Sequence, residues 1–334
     1  MEYTRVALDR ILHEGTDARR YVFTCRPDLT ELASSIEREG ILAAPVLQKD
    51  DGATFRVVCG WSRIQVLRQL GWKSVHAFVA SADEMDDREC LARSILENRW
   101  HRGFNEVEKA LLFTGLKDRF EHLLSGLAHA LGKDLRVPRE AKALEPYRFL
   151  LSLAPPILEG VARAEMSLAQ ALLLRGLPEG AHWGFYRIVT ECRLTSQEAR
   201  KAAEWIREAA RREGRDEKEF IDQEGIRQIL EEKADPRRKA QLFFSALKGR
   251  RYPLLESWNA RFARARSPFN ARQDEIQVSH DPTFETTQIR VRIRATSEAE
   301  FRQRIETLSE AIREGRIAEL FQALHVNSED PPKK

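Results

Sequence analysis

Two short stretches hold the side chains best suited to chemistry. Gly60-Trp61-Ser62-Arg63 sets a glycine, a hydroxyl and a guanidinium side by side, and Glu97-Asn98-Arg99-Trp100-His101-Arg102 gathers a carboxylate, an amide, an imidazole and further guanidinium groups. A glycine that ends a strand and opens a helix lets backbone N–H groups and a cation converge on a phosphate, and the positive end of the helix dipole adds to the attraction. The second stretch supplies groups that would face such a ligand. The expectation is a phosphate site built on Gly60, Ser62 and Arg63. The bare G-x-x-R spacing is equally compatible with a tight turn and a surface arginine, so the surrounding elements have to decide.

Those elements are legible. Thr54 to Cys59 is rich in β-branched and aromatic residues, Pro45 to Gln48 offers a partner strand, and Asp50-Asp51-Gly52 between them is a hairpin signal. Beyond Gly60, the helical spacing of Ile64, Leu67 and Leu70 predicts a helix closed by Gly71. Upstream, Asp28-Leu29-Thr30-Glu31 reads as a capping box for a helix with Leu29, Leu32, Ala33 and Ile36 on one face and Gly40 at its end. Downstream come a strand from Ser74 to Ala80, a helix from Asp83 to Asn98 and a long amphipathic helix from Asn105 to Leu124.

In this order the stretches resemble the boxes of the ParB family of partition proteins. Leu32-Ala33-Ser34-Ser35-Ile36 with Gly40-Ile41-Leu42 and Pro45-Val46 is similar to its first box. Gly60-Trp61-Ser62-Arg63 stands where the family has G-E-R-R, and Glu97-Asn98 with Asn105, Glu108 and Ala110 matches E-N-x-x-R followed by N-P-x-E-x-A. Leu131-Gly132-Lys133 falls where the family's helix-turn-helix has L-G-K. The resemblance covers roughly the first half of the chain and implies a pocket for CTP with Mg²⁺ in a homodimer that closes as a clamp around DNA, working with a partner ATPase. Carried over, Gly60 and Arg63 contact the triphosphate, Asn98 sits near the metal, Glu97 positions phosphates, and Arg20 matches the arginine of the family's first loop.

The departures matter. Trp61 replaces the acidic residue of the phosphate box, Ser62 replaces its first arginine, and His101 stands at the arginine of the second box, with Arg99 and Arg102 as substitutes. Indole cannot replace a hard oxygen ligand, so binding is expected to outlast hydrolysis. Two other readings stay open: a ParB-like phosphotransferase or nuclease with Glu97 as catalytic base or metal ligand, and an interaction scaffold that no longer binds nucleotide. A sulfiredoxin-like redox role needs a cysteine directly after the glycine, and Trp61 stands there.

The 334 residues imply two or three domains, and the formal net charge of +3 allows nucleic-acid contact only through local patches. The four cysteines form no C-x-x-C pair, no apolar run reaches membrane-spanning length, and the start lacks a secretory hydrophobic region. A cytoplasmic, nucleoid-associated protein with reduced thiols is expected. The expected fold class is α+β in three parts: a ParB/sulfiredoxin-like domain (1–102), an all-α domain with a degenerate helix-turn-helix (103–235) and a small strand-strand-helix domain (236–330).

In the middle part, Gly126 to Leu131 reads as a first helix-turn-helix element, and Pro146 is expected to break the second. Ala169, Gln170 and Leu172 replace polar positions of the family's S-x-G-H-A-R-A-L-L, so base reading should be weak. Arg136, Arg139, Lys142 and Arg148 are candidates for DNA phosphates, with a solvated helix face as the favoured alternative. Thr195 to Arg215 is a charged helix, and Arg237-Arg238-Lys239 with Lys248-Gly249-Arg250-Arg251 is a further cationic candidate. In the last part, strands at Glu275 to Ser279 and Gln288 to Ala295 flank Pro282-Thr283-Phe284-Glu285. Ile289, Val291 and Ile293 alternate there with Arg290, Arg292 and Arg294, whose charges are expected to be paired across the sheet. A helix follows from Ser297 to Arg313, and Asp330 to Lys334 is a tail.

Overall fold

The computed structural model describes residues 1–324 except 27, 51–52, 102, 134, 268, 270–275 and 282–285, and the side chain of 256. The expectations for Asp51-Gly52, Arg102, Pro282 to Glu285 and the tail lie outside the described residues. The chain divides into two compact units, Met1–Ala203 and Glu204–Lys334.

Four strands open the first unit: β1 (Glu2–Ala7), β2 (Val46–Lys49), β3 (Phe55–Cys59) and β4 (Ser74–Ala80), in the sheet order β1-β4-β2-β3. β2 pairs antiparallel with β3 and parallel with β4, while β1 runs antiparallel to β4 along its whole length. The first strand was not anticipated: of Glu2–Ala7 only Val6 is buried, and the strand is held by its pairing with β4. The helix Thr30–Glu39 forms as expected and ends at Gly40 with φ 73°. Its N-cap is Leu29, and Asp28 accepts from the Thr30 N–H (2.9 Å) in place of the capping box.

The helix expected from Asp83 begins instead at Asp87 and runs to His101. Ser81 and Glu84 exchange side-chain-to-backbone hydrogen bonds of 3.0 and 3.3 Å, a closed turn that competes with helix start, and Asp86 accepts from the Glu89 N–H (2.8 Å). The following helix, Glu106–Arg119, stops short of Leu124 because Phe120 is buried at its C-cap with φ −132°, and a 3₁₀ stretch continues to Leu127. Only a single turn, Ala128–Leu131, follows.

Pro146 does not break its helix. Ala141–Ser152 runs straight through it, anchored by buried Leu144 and Leu150, and the carbonyl deprived of its donor belongs to solvent-exposed Lys142. Core burial overrides propensity here. One apolar cluster joins Tyr21, Phe23, Val58 and Leu91 to Leu112, Leu116, Leu131 and Leu144, so the pocket-bearing sheet and the helices after residue 102 share a core.

In the second unit β5 (Ile276–His280) and β6 (Ile289–Ile293) pair antiparallel, and Ile276 and Val278 pack with Phe262 and Leu320. Across the ribbon Arg290 faces Ser279 and Arg292 faces Gln277, so the expected charge pairing does not hold for these two arginines. The basic end of helix Pro236–Arg251 is engaged within its own unit: Arg251 binds Glu208 (2.7 Å) and Arg250 binds Gln223 and Glu213.

Candidate nucleotide site

Gly60 caps helix Trp61–Gln69 from a left-handed conformation, φ 90° and ψ 24°. A Cβ there would stand 3.0 Å from the Arg63 guanidinium and 3.0 Å from the Pro45 side chain, so the close approach of Arg63 to the backbone requires glycine. Arg63 donates through Nη1 to the Ala43 carbonyl (2.5 Å) and through Nη2 to Glu97 Oε1. The other oxygen of Glu97 accepts from the Gly60 N–H (3.2 Å). The cradle expected for a phosphate is thus filled by a carboxylate of the same chain.

Around this triad lies a cavity of about 320 Å³ whose lining includes Thr24, Arg26, Ser62, Arg63, Asn98 and His101. That volume is at the lower end of small-molecule sites, which run from about 300 Å³. Trp61 does not plug it. The indole is 6% exposed and packs among Val22, Leu47, Val57 and Ile64, with the Arg19 guanidinium 5.3 Å from its ring centroid. Trp61 is at the same time part of the cavity lining, so a mostly buried indole borders the cradle without filling it.

Asn98 donates to the Ser94 carbonyl (2.9 Å) and its Oδ1 accepts from the Thr24 hydroxyl (3.5 Å). Arg99 is drawn away: its guanidinium packs over Gly132, whose absent side chain leaves the room. His101 is therefore the member of that pair found at the pocket, while Arg102 lies outside the described residues. Arg20 is not brought to the pocket. It donates to both oxygens of Asp87 (2.7 and 3.4 Å), and its guanidinium lies over Phe120. The capturing carboxylate at the start of helix Asp87–His101 decides its direction, and only the folded chain reveals it.

Arg26 and Thr24 are pocket residues that sequence reasoning missed. What places them is the Asn105/Glu108 box. Fully buried Glu108 accepts from the N–H groups of Cys25 (2.9 Å) and Asn105 (3.1 Å), and the Asn105 amide donates to the Cys25 carbonyl (3.0 Å). Both backbone groups of Cys25 are held, which aims its neighbours into the cavity. The signal lay in the N-x-x-E spacing, whose role as a clamp on a distant loop is not visible in one dimension.

The titration environment matches a binding site without thiol chemistry. Burial, reinforced by the Glu97 carboxylate, pushes the Cys59 thiol up, and burial raises Cys90 to about 12. Such thiols stay protonated and inert. Burial opposes ionisation of Asp87, yet hydrogen bonds from Arg20 and Tyr21 hold its carboxyl below the usual range.

Of the DNA-contact candidates, Arg136, Arg139 and Lys142 are exposed at the approach to helix Ala141–Ser152, and Arg148 is paired with exposed Asp118 (2.6 Å). Gln170 is buried, caps Ser167 and donates to the Leu194 carbonyl (2.6 Å), so it is a structural residue. No helix among the described residues is long and apolar enough to cross a membrane.

The family profile described as the ParB N-terminal domain matches residues 2–99. The chromosome-partitioning protein ParB of Caulobacter vibrioides (strain NA1000 / CB15N) is 31% identical over 133 residues, 39% of this chain and 42% of that protein. The ParB of Myxococcus xanthus is 29% identical over 167 residues, 50% of this chain and 53% of its own. The chain thus spans about half the length of the curated relatives it matches. A crystal structure of C-terminally truncated ParB from Caulobacter crescentus, complexed with CTP-gamma-S, aligns at 24% identity over 50% of this chain and 88% of that one, with a TM-score of 0.26.

Proposed function

We propose, from the match of residues 2–99 to the ParB N-terminal domain profile, that the pocket binds the triphosphate of CTP and that nucleotide binding switches a DNA-associated partition or regulatory factor. The observation that carries this reading is the convergence of the Gly60 N–H and the Arg63 guanidinium on one anion, the Glu97 carboxylate. Donors that hold a carboxylate in this geometry suit a phosphate, which offers more acceptor oxygens to the same fork. Arg63 is 17% exposed, so its charge acts in a partly desolvated place where it is worth more than at the surface.

When the phosphates arrive, Glu97 yields both donors. Arg63, still held by the Ala43 carbonyl, then orients the phosphate chain. Arg26 and Ser62 add a second cation and a hydroxyl at the rim, and His101 takes the place of the family's arginine there. Among the described residues no group of three or more metal-ligating side chains occurs. The oxygen donors near the cradle, Glu97 and Asn98, suit an Mg²⁺ held chiefly by phosphate oxygens, as is usual for this ion. When bound, the metal would neutralise phosphate charge, with Asn98 as the residue that would help hold it.

With one carboxylate at the cradle and a buried indole in place of the second, the geometry favours binding over hydrolysis. In this reading the protein works as a homodimer, and Arg136, Arg139, Lys142 and Arg148 touch DNA phosphates without reading bases. Calorimetry with CTP, ATP, GTP and UTP in the presence of Mg²⁺ tests it. Saturable heat with CTP, weakened at least about tenfold in Arg63→Ala by loss of a charge-assisted pair, is expected. No heat with any nucleotide would leave the scaffold reading standing.

A further inference from the structure

A second recess of the first unit shares no lining residue with the nucleotide cavity. It measures about 460 Å³ and is bordered by Thr16, Arg19, Val22, Phe23, Leu111 and Arg119. Arg19 follows the short helix Gly15–Ala18, and Arg119 ends helix Glu106–Arg119. Among the described residues neither guanidinium forms an ion pair or a hydrogen bond. The carboxylates beside them in the sequence are taken: Asp17 binds Arg56 (2.8 Å) and Asp118 binds Arg148 (2.6 Å). Asp87 is likewise taken by Arg20 (2.7 Å). The two cations rest against rings instead, Arg19 5.3 Å from the Trp61 centroid and Arg119 5.4 Å from the Phe120 centroid. Gly115 fixes the second of them. A Cβ there would stand 3.0 Å from Arg119 Nη2 and 3.1 Å from the Phe23 ring, so glycine lets the guanidinium fold back along its own helix beside Phe23. Burial and the charge of Arg20 hold Arg119 below the usual arginine range, yet an arginine stays charged at any ordinary pH. Buried Val22 and Phe23 with half-buried Leu111 give the recess an apolar wall.

We propose that this recess is a second small-molecule site, for an organic anion whose carboxylate or phosphate head meets Arg19 and Arg119 and whose apolar body lies on Phe23 and Leu111. Guanidinium forks suit either head, and the Thr16 hydroxyl adds a donor at the rim. A concave site with an apolar wall and a few polar groups is the form that small ligands use. A nucleic-acid backbone would call for a run of cations along a groove, whereas two arginines border a single recess here. The proposal stands whether or not the Gly60 cradle takes a nucleotide.

Calorimetry of the full chain with phenyl phosphate, benzoate, inorganic phosphate and benzyl alcohol tests it. Saturable heat is expected with phenyl phosphate or with benzoate, according to the head the arginines prefer. Arg19→Gln and Arg119→Gln should each weaken that binding at least about tenfold by loss of a charge-assisted pair. Gly115→Ala, which displaces the Arg119 guanidinium and keeps its charge, should weaken it as well. Inorganic phosphate forgoes the apolar wall and benzyl alcohol forgoes the charge, so each should bind at least about tenfold more weakly than the better aryl anion. In the unsubstituted chain, amide shift changes on adding that anion should centre on residues 15–23 and 111–119, a readout that no variant's folding can obscure. The proposal is overturned by absence of saturable heat with both aryl anions, by unchanged affinity in both arginine variants, or by shifts centred on Gly60 to Arg63. Inorganic phosphate binding as tightly as phenyl phosphate would overturn it too.

Discussion

With one oxygen on the Gly60 N–H and the other on the Arg63 guanidinium, Glu97 both preorganises the cradle and competes with any anion that enters it. Replacing it with glutamine keeps a carbonyl to receive Arg63 and removes the competing charge. Glu97→Gln is therefore expected to tighten CTP binding by about tenfold, the value of one charge-assisted hydrogen bond, measured by calorimetry; weaker binding would show that the carboxylate aids the bound state. Asp87 gives a separate handle. Its carboxyl is held low by Arg20 and Tyr21, so its stabilising contribution is complete above the unfolded value of 3.8 and is lost as pH falls through the lower folded value. Acid melts should show that loss below pH 3.8 in the wild type and less of it in Asp87→Asn. The grouping of Gly60, Arg63 and Glu97 was legible because their elements bring all three to one cavity. Arg20 was not, because the direction of a long side chain is set by a carboxylate from another helix.

The loop from Thr24 to Arg26 depends on the start of helix Glu106–Arg119. Glu108→Ala would leave the Cys25 and Asn105 N–H groups without their acceptor and is expected to lower stability by about 2–3 kcal/mol. Denaturant titration reads this, and a parallel loss of nucleotide affinity would follow from the displaced Arg26. A milder prediction concerns Ala164, which ends helix Pro155–Ala162 with φ 59°. The turn is closed by hydrogen bonds from Ala164 to Val161 and from Glu165 to Gly160, the geometry that glycine usually serves. Ala164→Gly should raise stability by about 0.5 kcal/mol, the relief of left-handed strain less the entropy of glycine. Helix Ala141–Ser152 shows the limit of reading elements from sequence: Pro146 signals a break, and burial of Leu144 and Leu150 outweighs it. β2 and β3 were legible from the β-branched and aromatic content of Phe55–Cys59 and the hairpin signal between them, whereas β1 owes its place to pairing with β4.

For the whole molecule, a net charge of +3 conceals where the free cations are. Arg136, Arg139 and Lys142 are exposed in the first unit, and Arg266, Arg290 and Arg292 line a basin in the second. Changing Arg136, Arg139, Lys142 and Arg148 to glutamine should flatten the salt dependence of DNA binding by up to about 3.6, four phosphates at about 0.9 each. A smaller change would show that fewer of these four side chains meet phosphates. The most direct measurement of the central claim is a crystal structure of the protein grown with a slowly hydrolysed CTP analogue and Mg²⁺. Phosphate oxygens are expected on the Gly60 N–H and the Arg63 guanidinium, with the Glu97 carboxylate displaced from both. A nucleotide bound elsewhere, while Glu97 keeps its two donors, would contradict it.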